Sequence, residues 1–250
     1  IEAGLRTGNN YSPYPEEANR LLISRIATLH MAPTQAAIEN LSKEGIIENV
    51  FKTGNTIVDS VYWVLENFIQ KNEFIKKKAA SPEKKVLITV HRRENFGEPF
   101  KEICNTILDL CKQYPKYSFI WPVHPNPNIK LVVYELLKDV PNLHLIEPLS
   151  YADLLFLINA SSVILSDSGG IQEEACILGK NIIILREDTE RPEVVDAGYG
   201  LLAGSNRKVI FESFDKFLKA FQDPIKNKVS KEIYGTRGVS ENILLKIKNQ

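Results

Sequence analysis

The sequence predicts an α/β protein built around a parallel β-sheet, and three observations support this prediction. From residue 85 onward, short apolar runs alternate with amphipathic stretches, which is typical of βαβ units that place helices on both sheet faces. Glycine-rich and charged residues directly follow several apolar runs, where loops leave the carboxyl edge of such a sheet. The 250 residues are 44% hydrophobic and 25% charged, as in a globular protein with a substantial core. We therefore expect a Rossmann-like lobe.

The predicted elements follow from apolar periodicity and from helix-capping residues. Strands are predicted at residues 30–33, 51–54, 85–90, 118–123, 143–146, 163–165 and 182–185. Helices are predicted at residues 15–29, 35–44, 57–69, 102–114, 128–137, 151–159, 171–178, 207–222 and 239–248. Pro15 suits a first helical position, and Thr34 suits an N-cap. The helix at 57–69 is expected to cross between two lobes.

The domain organisation predicted from these elements has three parts. Residues 1–57 read as the carboxyl-terminal part of an N-terminal Rossmann-like lobe, because the chain opens at Ile1 on what looks like the end of a buried strand. Residues 58–235 are expected to form a complete C-terminal lobe, and residues 236–250 a helix that packs back towards the first lobe. We expect the opening strands of the N-terminal lobe to be missing.

Composition excludes several classes of function. With 31 basic and 31 acidic residues the formal charge is zero, so no net field favours nucleic acid or an anionic membrane. No apolar run approaches the roughly 20 residues that cross a bilayer. The lysines at 76–78 read as a solvated helix end. Three cysteines, an odd number in helix-like surroundings, argue against a disulfide framework or a zinc site and favour the reducing cytoplasm.

The strand, turn and helix across residues 163–178 are the strongest ligand-binding signal. Ser168, Gly169 and Gly170 form the predicted turn, where glycine lets the backbone approach a ligand and a helix N-terminus attracts an anion. Glu174, about one helical turn further, could accept the two hydroxyls of a ribose. Arg191 follows the next strand at the same sheet edge. A nucleoside diphosphate is therefore the first ligand considered; the alternative is an ordinary α/β turn with a helix-capping serine.

Candidates for proton chemistry also lie on loops at strand ends. His91 and Arg92 follow the strand at 85–90, and His124 follows the neighbouring strand. A histidine beside charged neighbours at such an edge is either a catalytic or a structural residue. Glu2 and Glu16 are candidate paired carboxylates, with a surface carboxylate and a helix-start carboxylate as the alternative. His30 and His144, inside apolar strands, are interpreted as structural.

Ordered motifs run along nearly the whole chain, at residues 2–7, 15–20, 53–56, 91–97, 122–127, 167–175 and 189–193. Together they resemble the non-hydrolysing UDP-N-acetylglucosamine 2-epimerases of bacteria. The resemblance implies two Rossmann-like lobes of the type-B glycosyltransferase architecture with the active site in the cleft. It also implies interconversion of UDP-GlcNAc and UDP-ManNAc without metal or redox cofactor, and a homodimer.

The resemblance also implies roles for individual residues. Ser168, Gly169 and Gly170 would hold the phosphates, Glu174 the ribose and Arg191 the diphosphate. Glu2, Glu16 and His91 would belong to the catalytic set, and Arg92 and His124 would line the nucleotide-sugar or a neighbouring effector site. Leu154 aligns with the aromatic residue on which the family stacks uracil, with Tyr151 nearby.

The implied mechanism eliminates UDP through 2-acetamidoglucal and then adds it back. Acid/base groups on both faces of C2 would come from Glu2 and Glu16 together with an aspartate that the family carries upstream of Glu2. A protonated His91 would help to stabilise the departing diphosphate. Because that upstream lobe carries further contacts, the resemblance predicts that these 250 residues bind UDP without catalysing. A UDP-sugar glycosyltransferase and a non-catalytic UDP-sugar binding module are the alternatives.

Overall fold

The computed structural model describes residues 1–11, 14–220 and 233–249. The last two residues of the helix predicted at 207–222 lie outside these ranges, as does part of the lobe predicted at 58–235. Within the described ranges, no helix combines the length and the apolar character needed to span a membrane.

The amino-terminal segment contains a small parallel sheet. Its elements are α1 (Glu16–Ile26), β1 (His30–Ala32), α2 (Gln35–Lys43) and β2 (Val50–Lys52). β1 and β2 pair in parallel, with His30 opposite Val50. Thr34 is the N-cap of α2, because its side chain accepts a hydrogen bond from the Ala37 N–H at 3.2 Å. The predicted strand, cap and helix are thus confirmed in this segment.

The remaining elements contain the predicted alternation of helices and strands, together with elements that were not predicted, at residues 73–80, 192–196 and 200–202. They are α3 (Ile57–Asn67), α4 (Glu73–Ala80), β3 (Lys84–Thr89), α5 (Glu98–Gln113), β4 (Tyr117–Pro122), α6 (Pro127–Leu137), β5 (Leu143–Ile146), α7 (Tyr151–Ala160), β6 (Val163–Ser166), α8 (Gly169–Ile177), β7 (Asn181–Ile184), α9 (Pro192–Asp196), β8 (Gly200–Leu202), α10 (Arg207–Ala220) and α11 (Val239–Lys248). A 3-10 turn, Arg93–Asn95, precedes α5.

The central sheet has the doubly wound order β5-β4-β3-β6-β7-β8, and its strand pairs are parallel. The direction of winding reverses between β3 and β6. Ligands bind at the carboxyl ends of the strands beside such a switch point. The loops that carry His91 and Ser168 leave these two strands, so the fold brings the two strongest sequence candidates to one place.

Apolar clusters cover both faces of this sheet. One contains Phe100, Trp121 and Phe214, and the other contains Leu155 and Ile164. These five side chains are fully or almost fully buried, and burying each large apolar side chain stabilises the fold by about 1.5–3 kcal/mol. The well-packed sheet therefore holds the strand ends, and with them the starts of the loops that carry His91 and Ser168, in fixed positions.

Several element boundaries differ from the sequence prediction for local reasons. α8 begins at Gly169 rather than at residue 171, so the predicted glycine turn is the first turn of the helix. α5 begins at Glu98 because Gly97, at φ 88°, changes the chain direction and Pro99 is tolerated in a first turn. The ammonium of Lys78 is not simply solvated, since it donates to the Ser118 hydroxyl at 2.9 Å.

The carboxyl-terminal segment returns to the start of α3. Both oxygens of the Asp59 carboxylate accept hydrogen bonds at the beginning of α11, from Gly238 N–H at 2.7 Å and from Ser240 N–H at 2.7 Å. The Tyr234 carbonyl accepts from Asn55 N–H at 2.9 Å. These bonds join Asn55 and Asp59 to the start of α11 and to the residues just before it.

Candidate functional site

A cavity of about 290 Å³ opens at the switch point between β3 and β6. Its polar lining comes from Thr89, His91, His124, Ser168, Gly170 and Glu174, and its apolar lining comes from Val90, Pro122, Pro148, Leu149, Leu154 and Ile171. Five of the sequence-predicted site residues therefore surround one space. A largely apolar cavity with a few converging polar groups is typical of a small-molecule site.

The phosphate-binding candidates form the start of α8. Ser168 is extended, at φ −82° and ψ 130°, and its side chain makes no capping bond to the helix. Ser168 thus occupies the N-cap position of α8 without using its hydroxyl for a capping bond. The Ser168 N–H donates to the Ser166 hydroxyl at 3.0 Å, and that hydroxyl also bonds to Thr89 at 2.7 Å. The Ser166 hydroxyl thus holds the turn in place. The N-terminus of α8 lies at the edge of the cavity, and a helix N-terminus favours the binding of anions.

Glu174 and Tyr151 form a hydrogen-bonded pair beside the cavity. Burial raises the pKa of Glu174 to about 7; a hydrogen bond from Tyr151 opposes this rise and the nearby Glu173 adds to it. Burial and the Glu174 charge together raise the pKa of Tyr151. A carboxylate held this way can accept hydrogen bonds from neighbouring hydroxyls of a ligand.

His91 and His124, both in the cavity lining, stack on each other with ring centroids 5.8 Å apart and planes 16° apart. Burial lowers the pKa of His91, Asp167 opposes this, and Arg92 and His124 lower it further. The lowered pKa favours a neutral His91 in the ligand-free protein, whereas the sequence predicts a protonated His91 only where the charge of a departing diphosphate develops. A bound diphosphate would reverse the balance by adding negative charge.

Arg191 lies behind the glycine turn rather than in the cavity lining. A Cβ on Gly169 would meet its Nη1 at 2.6 Å. Its guanidinium donates to Glu173 through Nε at 2.6 Å and to Glu190 through Nη1 at 2.6 Å. The structure thus places Arg191 next to the predicted phosphate site, but held by two carboxylates.

The remaining candidates lie apart from the cavity lining. Glu16 is exposed at the start of α1, and Glu2 is exposed near the amino terminus. Glu2 nevertheless interacts electrostatically with Glu173. Burial raises the pKa of Glu173, Arg191 opposes this rise, and the negative charge of Glu2 adds to it. Arg92 is half-buried and donates its backbone N–H to Asp167 at 2.8 Å.

Sequence reasoning assigned no role to a set of buried charged residues around the site, namely Asp167, Glu173, Arg186 and Glu190. The Arg186 side chain is fully buried and donates to Glu94 at 2.8 Å and to Glu190 at 2.9 Å. The available signal was the charge density at 186–193, directly after a predicted buried strand. Charged residues in such a position are expected to be paired.

Comparison with known proteins identifies the family. The sequence matches the family described as UDP-N-acetylglucosamine 2-epimerase over residues 1–248. The chain belongs to this family.

Individual epimerases agree with this assignment. The UDP-N-acetylglucosamine 2-epimerase of Neisseria meningitidis serogroup A is 49% identical over 227 residues, which are 88% of this chain and 60% of that protein. The Escherichia coli K12 epimerase is 40% identical over 256 residues, covering 100% of this chain and 68% of that protein. The chain thus spans about 60 to 68% of the length of these curated relatives.

Solved structures of similar proteins share the fold. A Neisseria meningitidis UDP-GlcNAc 2-epimerase bound to UDP-GlcNAc has a TM-score of 0.89 at 44% identity, over 100% of this chain and 69% of that chain. The S. aureus MnaA–UDP co-structure has a TM-score of 0.90 at 36% identity, over 99% of this chain and 67% of that chain. The predicted α/β architecture of the epimerase family is confirmed.

Proposed function

We propose that this polypeptide takes part in the reversible C2 epimerisation of UDP-GlcNAc and UDP-ManNAc, and that the cavity at the switch point holds the UDP part of the substrate. The convergence of His91, Ser168 and Glu174 on one cavity carries the proposal. Relatives of the same family solved with UDP-GlcNAc or with UDP support it.

In this proposal the ribose and the diphosphate occupy opposite sides of the α8 start. Glu174, held by Tyr151, accepts the ribose hydroxyls. Ser168, Gly169 and Gly170 face the phosphates with hydroxyl and helix N–H donors. Arg191 adds positive charge behind the turn, and His91 gains a proton as the diphosphate develops charge.

The chemistry requires a proton to leave C2 as UDP leaves C1, because the C2 hydrogen of an N-acetylhexosamine is barely acidic. The products of this step are 2-acetamidoglucal and UDP. Return of a proton to the opposite face of C2 and re-addition of UDP to C1 complete the epimerisation. Glu2 and Glu16 are proposed for proton transfer. Arg92 and His124 are proposed to line the sugar end of the site or a neighbouring effector site.

A single experiment in deuterated water tests the reaction. A form of the enzyme extended to the length of its curated relatives is incubated with UDP-GlcNAc, because the 250 residues alone are expected to bind UDP without catalysing. The recovered nucleotide sugars are analysed by mass spectrometry for deuterium at C2. We expect UDP-ManNAc and deuterium at C2 in both sugars. Formation of UDP-ManNAc without deuterium at C2 would contradict the elimination mechanism.

Calorimetry with UDP, UMP and uridine tests the nucleotide site separately. Affinity is expected to fall in that order, because each step removes charge from the α8 start. Equal affinity for the three ligands would exclude a diphosphate site there. Binding of UDP together with sugar transfer to an added acceptor would favour a glycosyltransferase, and binding without either reaction would favour a UDP-sugar binding module.

The cellular setting is proposed as well. UDP-ManNAc would supply precursors for cell-surface polysaccharide, and the enzyme would act in the cytoplasm as a homodimer. Cys104, Cys111 and Cys176 are free and buried, which supports a reducing compartment. Neither nucleic acid nor membrane is proposed as a partner.

A further inference from the structure

Asp167 joins the two loops that form the candidate site. Its side chain is fully buried directly before Ser168. Its carboxylate accepts hydrogen bonds from His91 N–H at 3.1 and 3.0 Å, from Arg92 N–H at 2.8 Å and from the Asn95 side-chain amide at 2.9 Å. A buried carboxylate with this many donors remains where it is because each lost bond would leave a polar group unpaired.

The same carboxylate faces the ring of His91. Oδ1 of Asp167 lies 3.3 Å from Nδ1 of His91. A lone pair on Nδ1 would be repelled by the carboxylate, so the neutral ring carries its proton on Nδ1. The Nε2 lone pair is then left for another partner.

We propose that Asp167 is a positioning residue that fixes the ring orientation and the tautomer of His91, so that Nε2 is the atom available to the ligand. Asp167 itself touches no ligand in this arrangement. The assignment to catalysis rests on the proposed function, whereas the assignment of the tautomer rests on the contacts of Asp167 alone.

The charged groups around His91 support the same conclusion. Arg92 and the stacked His124 disfavour a positive His91, and Asp167 is the group that favours it. Since an opposite charge within about 4–6 Å changes a pKa by about 1–3 units, removing the Asp167 charge would leave His91 neutral over a wider pH range. A ligand phosphate would then have no ring proton to pair with.

The test is nitrogen NMR of the histidine rings in the ligand-free protein, with assignment by single substitution, since the chain has 4 histidines. We expect neutral His91 in the wild type to carry its proton on Nδ1. We expect Asp167→Asn to lower the pKa of His91 by about 1 unit or more. Asp109→Asn is the matched control, because it removes a half-exposed carboxylate that pairs with Arg207 far from the cavity.

Two outcomes would overturn the inference. One is a wild-type ring that carries its proton on Nε2, a measurement that does not depend on the folding of any variant. The other is a His91 titration that is the same in the wild type and in Asp167→Asn.

Activity separates this inference from the proposed function. In the enzyme extended to the length of its relatives, with UDP-GlcNAc as substrate, Asp167→Asn is expected to lower kcat by about tenfold or more while KM changes little. If the NMR result is as expected but the protein does not bind UDP, the positioning role of Asp167 is supported and the proposed function is refuted.

Discussion

Nη2 of Arg20 lies 3.7 Å from Oε1 of Glu190, so a helix of the amino-terminal segment meets the loop after β7 at a buried carboxylate. Glu190 also accepts hydrogen bonds from Arg186 and Arg191. One side chain therefore connects α1, which carries Glu16, with the arginine proposed to act at the diphosphate. This arrangement makes Glu190 important for stability.

The acid sensitivity of the protein should depend on Glu190. Burial alone would raise its pKa, but Arg191 and Arg186 lower the pKa from its ordinary 4.5 to about 2. The resulting stability, about 3 kcal/mol, is fully present above about pH 4.5 and is lost as pH falls towards 2. Thermal unfolding between pH 3 and 7 should show a flatter acid dependence and a lower Tm in Glu190→Gln. Glu212→Gln is the control, because Glu212 forms an exposed pair with Lys208. Unchanged acid dependence in Glu190→Gln would contradict the assignment.

The two glycines at the start of α8 should respond differently to alanine. A methyl group on Gly169 would clash with the Arg191 guanidinium, whereas a methyl group on Gly170 would meet no atom within 4 Å. We expect Gly169→Ala to lower the free energy of unfolding by about 1–3 kcal/mol. Gly170→Ala should not destabilise the fold but should weaken UDP binding, since the methyl group enters the cavity. Denaturant unfolding and UDP calorimetry measure the two effects, and equal stability of the two variants would refute the prediction.

Uridine affinity should rise with pH through the titration of Glu174. Because burial raises the pKa of this carboxyl to about 7, it is mostly protonated at pH 6 and mostly ionised at pH 8. The ionised form accepts hydrogen bonds from the ribose hydroxyls, so affinity should be higher at pH 8, by up to about tenfold. Uridine is the ligand of choice because it has no phosphate that titrates in this range. Glu174→Gln and the ligand 2′-deoxyuridine are the controls, and both should show a weaker pH dependence of affinity. A wild-type affinity for uridine that does not change with pH would exclude Glu174 from the ribose site.

Adjacent glutamates in α1 should have separable roles. Glu16 is exposed, whereas Glu17 is buried and accepts hydrogen bonds from Thr7 N–H and Gly8 N–H at 3.0 Å. We expect Glu16→Gln to leave stability within about 0.5 kcal/mol and UDP affinity close to the wild type. In the enzyme extended to the length of its relatives, it should reduce deuterium exchange at C2. Glu17→Gln should instead lower Tm. A Glu16→Gln variant that exchanges deuterium at the wild-type rate would exclude Glu16 from proton transfer.

Local signals predicted most of the fold. The structure confirms the predictions that depend on neighbouring residues in the chain. These are the Thr34 cap, the alternation after residue 85, and the strand ends at His91 and Ser168. The short elements α9 and β8 were not predicted, because three to five residues carry too little periodicity.

The partners of the charged site residues were beyond the reach of the sequence. The pairing of Arg191 with Glu173 and Glu190 depends on how the loop after β7 packs against α8, and residues 173 and 191 are 18 positions apart. Asp167 was visible in its motif, but its bonds to His91 and Arg92 span 76 and 75 positions. Which charged residues pair depends on their distances in the folded protein, and their spacing along the chain does not give these distances.

The bonds between Asp59 and the start of α11 impose an order on biosynthesis. The donors on Gly238 and Ser240 lie 179 and 181 residues further along the chain, and the ribosome adds about 5–20 residues per second. Asp59 therefore remains without these partners for about ten seconds or more after it is translated. During that interval the βαβ units between them can fold first, because their contacts are more local. The junction between α3 and α11 can therefore form only after α11 has left the ribosome.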